Sequence, residues 1–297
     1  MTTAWQDCSG LLGDKTELRQ RVNQDGFGMF RGLVPKKDVL DLRRLILEMF
    51  NDRGWILDGT HVMDGIVDPI VSATVSFASN GVDMKAYQDV YRMKEFHQLA
   101  HHPNIVDVCE RLFNEAVFVH PRNIARLMAP HPNIAPTPPH QDFIFIQGTK
   151  STYTCWLPLG DCPHELGGLS LMPGTHKQDI LPVRQAEGAG HRRIVMDGPD
   201  NDWVEGDLEV GDVILFHSHL VHRSLPNRTK GRIRLSCDYR YQPISLPVEK
   251  ASLAPHGDLM TWREAYEGWD TDEFKYYWQS LDLKLVDFNK ELLETID

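Results

Sequence analysis

The sequence predicts a mainly β fold with flanking helices, and three observations support that prediction. Apolar residues at helical spacing dominate much of the chain before residue 117. From residue 117 to about 245, short β-branched and aromatic runs alternate with Pro, Gly and Asn clusters, a pattern typical of strands. Their spacing favours an antiparallel double sheet, or jelly roll, over alternating βαβ units. An aromatic segment after Leu259 predicts a helical C-terminal tail.

Two helical regions are predicted first, at about Lys15–Arg53 and Asp83–Asn114. A short strand-like segment, GFGMFRGLVP, interrupts the first region. Strands are predicted at Val117–His120, Ala125–Ala129, His140–Gln147, Thr152–Leu157, Gly168–Met172, Val213–Phe216 and Arg232–Tyr241. The simplest organisation is a single domain with a helical flank at 1–116, a β core at 117–245 and a helical tail at 246–297.

Composition excludes several classes of function. The net charge is -11 and the pI is about 5.7, which argues against nucleic-acid partners and against docking on anionic membranes. The N-terminus lacks a secretory pattern, and no apolar run approaches the roughly 20 residues of a membrane span. The five cysteines are odd in number and form no CxxC pair, so buried reduced thiols are expected. A cytoplasmic protein is therefore expected, and its oligomeric state is left open.

Two segments contain residues that suit a metal site. In PPHQDFIFIQG, His140 and Asp142 are two apart and would project from the same face of a strand. In GDVILFHSHLVHRSLPN, an apolar strand precedes His217, His219 and His222. One of these histidines would complete a two-histidine, one-carboxylate site, the arrangement typical of non-haem iron(II) oxygenases. Zinc is less favoured because the chain has neither an HExxH helix nor a cysteine ligand pair.

The last predicted strand has one apolar and one polar face. Its apolar residues are Ile233, Leu235, Cys237, Tyr239 and Tyr241, and the alternate positions are all polar. Such a polar row usually faces solvent, but inside a barrel its arginines would need an anionic ligand. Three further polar residues near strand edges, His120, Arg122 and Arg126, are candidates for contacts with anionic groups of the substrate.

These segments resemble the phytanoyl-CoA dioxygenase family of 2-oxoglutarate-dependent oxygenases. The resemblance rests on PPHQDFIFIQG, TCWLPLGDCPHELGGLSLMPGTHK, GDVILFHSHLVHRSLPN and GRIRLSCDYRYQ, which occur in the order seen in the family. It implies a cupin-like double-stranded β-helix that binds Fe(II), 2-oxoglutarate and O2. The implied reaction is hydroxylation of a small molecule with release of succinate and CO2. Phytanoyl-CoA itself is not implied as the substrate.

The resemblance also implies roles for individual residues. The H-x-S-x-x-N context selects His222 as the third metal ligand beside His140 and Asp142. An arginine on the following strand grips the cosubstrate, and both Arg232 and Arg234 match that position to within one residue. Arg234 is preferred because it shares one strand face with Ser236, so that both can bind one carboxylate. Other positions that match cosubstrate contacts of the family are Gln141, Trp156 and Ser224.

Two alternatives to this enzyme are a catalytically inactive cupin-like binding protein and a metal-dependent hydrolase or isomerase on the same barrel. The complete set of His140, Asp142, His222 and a following arginine favours the dioxygenase, because a degenerate relative is expected to lose at least one of them. In related halogenases a small residue replaces the carboxylate. The presence of Asp142 therefore favours hydroxylation over halogenation.

Overall fold

The computed structural model describes residues 2–74, 83–131, 135–196 and 202–296. Its helices are α1 (Lys15–Asp25), α2 (Lys36–Asp52), α3 (Pro69–Thr74), α4 (Met84–Tyr91), α5 (Lys94–Gln98), α6 (Pro103–Phe113) and α7 (Trp262–Ala265). Its strands are β1 (Phe27–Phe30), β2 (Val117–Val119), β3 (Ile124–Met128), β4 (Tyr153–Pro158), β5 (Leu169–Leu171), β6 (Val183–Gln185), β7 (Arg192–Ile194), β8 (Val213–His217), β9 (His222–Ser224), β10 (Arg234–Pro243), β11 (Val248–Glu249) and β12 (Leu285–Val286). The prediction of N-terminal helices followed by a strand-rich region is confirmed.

Local sequence explains where the first helices begin and end. The side chain of Asp14 caps α1 by accepting hydrogen bonds from the backbone N–H groups of Thr16 and Glu17. The helix ends at Gly26, whose φ of 86° lies in the left-handed region that favours glycine. The next helix, α2, buries one apolar stripe that includes Leu42, Ile46 and Phe50. None of the described helices is long and apolar enough to cross a membrane.

The larger sheet has six antiparallel strands, with β10 near its middle. The strand order is β1-β8-β4-β10-β2, and β3 also pairs with β10. The long strand β10 therefore contacts three neighbours: β4 along one edge and β2 and β3 along the other. Because it pairs with three strands, β10 has residues of β2, β3 and β4 beside it within the sheet.

A smaller sheet pairs β5 with β9. An isolated bridge between His140 and His222 extends it on one side, and a bridge between Leu171 and Val204 extends it on the other. The predicted strand at His140–Gln147 is wrong beyond this bridge. Residues Asp142–Ile144 form a 3-10 turn, in which the backbone N–H of Phe145 donates to the carbonyl of Asp142. A turn buries the apolar residues of this segment as well as a strand would, so the apolar pattern could not distinguish the two.

The two faces of β10 separate as the alternation predicted. Its apolar face packs against the helices, where the hydroxyl of Tyr239 donates to the carbonyl of Phe96 (2.8 Å) and that of Tyr241 to the carbonyl of Ala100 (2.7 Å). Its polar face points to the interior of the β region and stays buried, with 3% of Arg234 and 3% of Arg240 exposed. The polar row is therefore interior, and its charges need partners there.

The predicted helical tail is wrong in its extent. Beyond residue 246 the structure forms only the four-residue helix α7, short 3-10 turns and the brief strands β11 and β12. Aromatic contacts hold this segment instead, because Trp262, Tyr266 and Trp269 pack around the buried ring of His97. Nearer the C-terminus, the backbone N–H of Asn289 donates to the side chain of Gln147 (2.7 Å). The tail thus covers both the helices and one side of the β region.

Candidate metal centre

Three predicted ligands converge in the structure. The His140–His222 bridge places the two imidazoles side by side, with ring centroids 4.1 Å apart. Asp142 opens the 3-10 turn that follows, and its Oδ1 lies 3.5 Å from Nε2 of His140 and 3.7 Å from Nε2 of His222. One ligand atom from each residue lies within 4.8 Å of the others, and all three side chains are buried. Among the described residues, these three form the one group of His, Cys, Asp or Glu side chains that has this geometry.

The hydrogen bonds of the two histidines fit a metal ion. Nδ1 of His140 lies 2.8 Å from the carbonyl of Pro138, and Nδ1 of His222 lies 2.9 Å from the carbonyl of Leu220. A carbonyl can only accept, so each Nδ1 carries the proton and each Nε2 is left with a free lone pair. Burial, with His140 alongside, lowers the pKa of His222 to about 3, which keeps that ring neutral. Neutral imidazoles are the form that binds metals.

The carboxylate of Asp142 is oriented by its other oxygen. The hydroxyl of Thr154 donates to Oδ2 at 2.6 Å, and Nη2 of Arg240 lies 3.6 Å from the same oxygen. Oδ1 therefore faces the two imidazoles. Burial alone would raise the pKa of Asp142, but Arg240 and the two histidines outweigh burial and hold it well below its usual range. Two lone pairs and one carboxylate oxygen thus meet in a buried space, where a divalent cation would satisfy all three.

The other two histidines of the turn lie away from this group. Nδ1 of His217 accepts the backbone N–H of His219 at 3.0 Å, and the ring of His217 contacts Tyr153 and His176 instead. The ring of His219 packs against Phe143. Geometry therefore favours His222 among the three candidates, as the motif does.

A small cavity adjoins the three ligands, and three of the six predicted cosubstrate residues line it. Trp156, Ser224 and Arg234 line it together with His140, Asp142 and His222. Nη1 of Arg234 donates to the hydroxyl of Ser236 at 2.8 Å, while Nε of Arg234 is buried without a partner among the described residues. The predicted pairing of these two side chains on one strand face is present.

Two predicted cosubstrate contacts are not supported. Arg232 is more exposed, bonds to the carbonyl of Asp161 (3.4 Å) and does not line the cavity. Gln141 is buried with its amide already occupied. It donates to the carbonyl of His219 (2.8 Å) and accepts from the backbone N–H of Leu181 (2.8 Å). Because Gln141 alternates with the two ligands beside it, its side chain points away from them and fixes the neighbouring loops.

A second, larger cavity of about 550 Å³ also adjoins His140 and Asp142. Arg122, Arg126 and Arg240 line it, along with apolar side chains and His256. The third early candidate, His120, is buried against Gln242 (2.9 Å) and does not line this space. Two of the three residues proposed from sequence to meet anionic substrate groups therefore reach a cavity beside the metal ligands.

Sequence reasoning missed several residues of the two cavities. Asp238 and Arg240 belong to the polar row of β10, so their parity was a usable signal. Thr154 lies on the same face of β4 as Trp156, which was a weaker sequence signal. The tail residues Phe288 and Leu293 line the larger cavity, and no local pattern places them there.

Comparison with known proteins assigns the family. The profile of the phytanoyl-CoA dioxygenase (PhyH) family matches residues 22–236. The chain belongs to this family. It is also 30% identical over 254 residues to the 1-deoxypentalenic acid 11-beta-hydroxylase of Streptomyces arenae, covering 81% of this chain and 86% of that protein. It is 25% identical to the peroxisomal phytanoyl-CoA dioxygenase of Rattus norvegicus, covering 75% and 67%.

Solved structures show that the fold is shared. The epimerase SnoN, in complex with Fe3+, alpha ketoglutarate and nogalamycin RO, aligns with a TM-score of 0.55 at 20% identity, over 80% of this chain and 86% of that one. EvdO2 from Micromonospora carbonacea aligns with a TM-score of 0.53 at 17% identity, over 82% and 94%. The predicted family resemblance is confirmed. With it, the prediction of an Fe(II)- and 2-oxoglutarate-dependent dioxygenase that uses O2 is confirmed.

Proposed function

We propose that His140, Asp142 and His222 hold the iron(II) of this dioxygenase and that the enzyme hydroxylates a small molecule. The observation that carries this proposal is the convergence of two Nε2 lone pairs and Oδ1 of Asp142 in a buried space. Such a donor set leaves further positions of the metal open for cosubstrate and dioxygen. The presence of a complete set argues against an inactive binding protein, and the absence of sulfur ligands from the set argues against a structural zinc site.

The cosubstrate is proposed to bind in the small cavity beside the ligands. Arg234 would grip the distal carboxylate of 2-oxoglutarate, because its Nε is unpaired and its partner Ser236 adds a hydroxyl at the same place. Trp156 and Ser224 would form the walls of this site. The nearby Asp238 is already paired with Arg126 at 2.9 Å, so it does not leave an uncompensated negative charge beside the cosubstrate.

The chain's own residues prepare the site for the reaction. When bound, iron(II) and 2-oxoglutarate would activate O2, which is the oxidant: one oxygen atom joins the substrate and the other joins succinate, as 2-oxoglutarate is oxidised with loss of CO2. Carbonyls of Pro138 and Leu220 keep the protons of both ligand histidines on Nδ1. Thr154 fixes which oxygen of Asp142 faces them. The larger cavity would hold the substrate beside His140 and Asp142.

The finer features of the predicted fold belong to the same proposal. We infer a cupin-like double-stranded β-helix formed by the six-stranded sheet and the β5–β9 sheet, with the ligands at the bridge between β9 and His140. A single domain over residues 1–297 is supported by one core that joins Leu18, Tyr87, Leu127 and Trp278. A cytoplasmic location is supported by five free cysteines, all of them buried.

The test is turnover of 2-oxoglutarate by the purified protein. With Fe(II), O2 and a panel of small molecules, the true substrate should raise succinate formation and yield a product that carries one oxygen atom from labelled O2. His222→Ala should remove both signals, whereas His217→Ala should keep them. Product that forms without O2, or with zinc in place of iron, would show a hydrolase or isomerase instead.

A further inference from the structure

We propose that the larger cavity binds an apolar substrate that carries an anionic group, and that Arg122 and Arg240 hold that group. The inference rests on the proposed function and deepens it by naming the chemical class of the substrate. It depends on the lining of the cavity, on the unpaired nitrogen atoms of the two arginines, and on the way other charges nearby are already paired.

Most of the cavity wall is apolar. The space of about 550 Å³ is large enough for a compact molecule of drug size. Its apolar lining side chains come from distant parts of the chain: Met84, Ile124, Phe145, Ile146, Leu259, Phe288 and Leu293. Such a wall favours a hydrocarbon body, because burying apolar surface is the main gain it can offer a ligand. Specificity then falls to the few charged groups.

Arg240 is a charged group without an adequate partner. Only 3% of its surface is exposed, and its Nε and Nη1 are buried with no hydrogen-bond partner in the part of the chain described. The nearest carboxylate oxygen, Oδ2 of Asp142, lies 3.6 Å from Nη2 and already accepts from Thr154. The other oxygen of Asp142 is assigned to the metal. A buried guanidinium left in this state is costly, so a second anion would be bound strongly.

Arg122 is in a similar state on the neighbouring segment. Its Nη1 donates to the carbonyl of Ala251 (3.2 Å), and its Nε is buried with no partner among residues described. It lies just after β2, which pairs with β10 beside Arg240, and the backbone N–H of His120 donates to the carbonyl of Arg240 (2.8 Å). Burial and the nearby charge of Arg240 lower the pKa of Arg122, so the two guanidinium groups repel each other until an anion lies between them.

The other charged groups near the cavity are already paired. Arg126 is bonded to Asp238 (2.9 Å). Glu249 accepts the backbone N–H of Ala251 (2.6 Å) and contacts no arginine at ion-pair distance in the described ranges. His256 is bonded to the hydroxyl of Tyr87 (2.9 Å), and burial with the nearby arginines holds its pKa well below the usual range. The carboxylates of Glu249 and Asp258 attract Arg122 without forming an ion pair with it, and Asp142 lies 3.6 Å from Arg240. Nε of Arg122 and Nε and Nη1 of Arg240 are therefore left for a ligand to satisfy.

Different arginines line the two cavities, and we therefore assign them different roles. Arg234, in the small cavity, accounts for the carboxylate of 2-oxoglutarate, and it does not line the larger space. Arg122 and Arg240 line the larger cavity but not the small one. One molecule of 2-oxoglutarate would not satisfy Arg234 together with the pair of Arg122 and Arg240. We therefore assign that pair to the substrate. A carboxylate, sulfonate or phosphate meets the requirement, because each accepts several hydrogen bonds from guanidinium groups.

Two fluorescent probes with nearly the same hydrocarbon body test the inference. Anilinonaphthalene sulfonate is anionic, and phenylnaphthylamine is its uncharged counterpart. Both would be titrated without oxygen into enzyme loaded with Fe(II) and saturating 2-oxoglutarate. In the wild type, the sulfonate should bind at least about tenfold more tightly than the uncharged probe, since charge-assisted hydrogen bonds to arginine supply that difference.

Substitutions then assign the effect to the two residues. Arg122→Met and Arg240→Met should each weaken sulfonate binding about tenfold or more and change phenylnaphthylamine binding by less than about threefold. Arg263→Met, on an exposed turn of α7, should change neither. Arg122 does not touch Asp142, so its variant separates loss of the anion site from damage to the metal site. Unchanged sulfonate binding in both variants would overturn the inference, as would an equal loss of both probes.

The same samples distinguish this inference from the proposed function. The visible charge-transfer band of 2-oxoglutarate on iron(II) is recorded before each probe is added. If the band is absent while the arginine-dependent sulfonate binding remains, the assignment of the metal and cosubstrate site fails and the anion site stands. If the band is present and the sulfonate shows no preference, the anion site fails alone.

Discussion

The polar face of β10 has an arginine near each end of the buried interior, and the two arginines have different surroundings. Arg234 lies in the small cavity, bonded to Ser236 and near the ring of Trp156. Arg240 lines the larger cavity, donates no hydrogen bond from its side chain in the described structure, and lies 3.6 Å from Oδ2 of Asp142. His140 and Asp142 line both spaces and therefore stand between them.

In the proposed assignment, the one strand β10 contributes an arginine to each of two ligand sites. The two arginines are six positions apart, so strand alternation gives them the same face and neighbouring strands decide what each one meets. At the Arg234 end, the polar side chains would bind 2-oxoglutarate, a small dicarboxylate that is the same for every substrate. At the Arg240 end, loops and tail residues form an apolar wall whose shape can differ between relatives with different substrates.

The largest expected effect comes from replacing the three proposed metal ligands. His140→Ala, Asp142→Ala and His222→Ala should each lower iron-dependent turnover by about a thousandfold or more, because each removes one of three donors to the metal. Steady-state succinate formation measures the loss, and circular dichroism checks that each variant stays folded. Near wild-type turnover in His222→Ala, with loss in His217→Ala or His219→Ala, would show that the third ligand is misassigned.

The second prediction separates Arg234 from its neighbour in sequence. Arg234→Met should raise the KM for 2-oxoglutarate by about 10- to 100-fold, because it removes charge-assisted hydrogen bonds to a carboxylate. Iron affinity should change little, and Arg234→Lys should restore only part of the effect because an ammonium group lacks the planar fork. The matched control is Arg232→Met, which should leave this KM near the wild-type value. If the two variants exchange these results, the roles of the two arginines are reversed.

The third prediction concerns the orientation of Asp142. Thr154→Val removes the 2.6 Å hydrogen bond to Oδ2 with little change in side-chain volume. Iron affinity should fall about tenfold, since partners of metal ligands commonly contribute that much. The KM for 2-oxoglutarate at saturating iron should stay within about threefold of the wild type. Thr152→Val, which removes a bond to the carbonyl of Thr149 instead, is the control and should leave iron affinity unchanged. Equal losses in both variants would mean that Thr154 has no special role.

The smallest predicted effect is confined to the larger cavity. Gly190 has a φ of 79°, and an added Cβ would lie 2.9 Å from Cζ of Phe145. Gly190→Ala should therefore push this ring into the cavity and weaken phenylnaphthylamine binding several-fold, on the order of 1 kcal/mol. The KM for 2-oxoglutarate should not change, because neither residue lines the small cavity. A change in this KM alone would contradict the separation of the two ends.

Strand faces and the proximity of the metal ligands could be predicted from the sequence, whereas hydrogen bonds to distant loops could not. The alternation in β10 predicted that its polar and apolar residues lie on opposite faces, because strand parity is a local property. An interior position for the polar face followed only from the predicted barrel. The strand predicted at His140–Gln147 is wrong, yet the proximity of His140 and Asp142 was still anticipated, since a bridge followed by a turn also brings residues two apart together. Gln141 matched a family motif, but its hydrogen bonds to distant backbone groups depend on loop packing that no local pattern encodes.

The substrate end was much harder to predict. Arg122 could be proposed as an anion contact because it lies near a strand edge before the metal segment. The tail residues Phe288 and Leu293 could not, because they reach the cavity through an irregular segment held by aromatic packing and by bonds such as that between Asn289 and Gln147. Helical spacing of aromatic residues predicted a helix there, whereas tertiary contacts decided the conformation.

Anaerobic titration of the purified protein with Fe(II) and then 2-oxoglutarate tests the central claim most directly. The account predicts a weak visible charge-transfer band that appears only when both are present, because the cosubstrate chelates a metal held by two histidines and one carboxylate. His217→Ala should give the same band, and His222→Ala should give none. A band of wild-type intensity in His222→Ala, or no band in the wild type, would contradict the assignment of His140, Asp142 and His222 as the iron site.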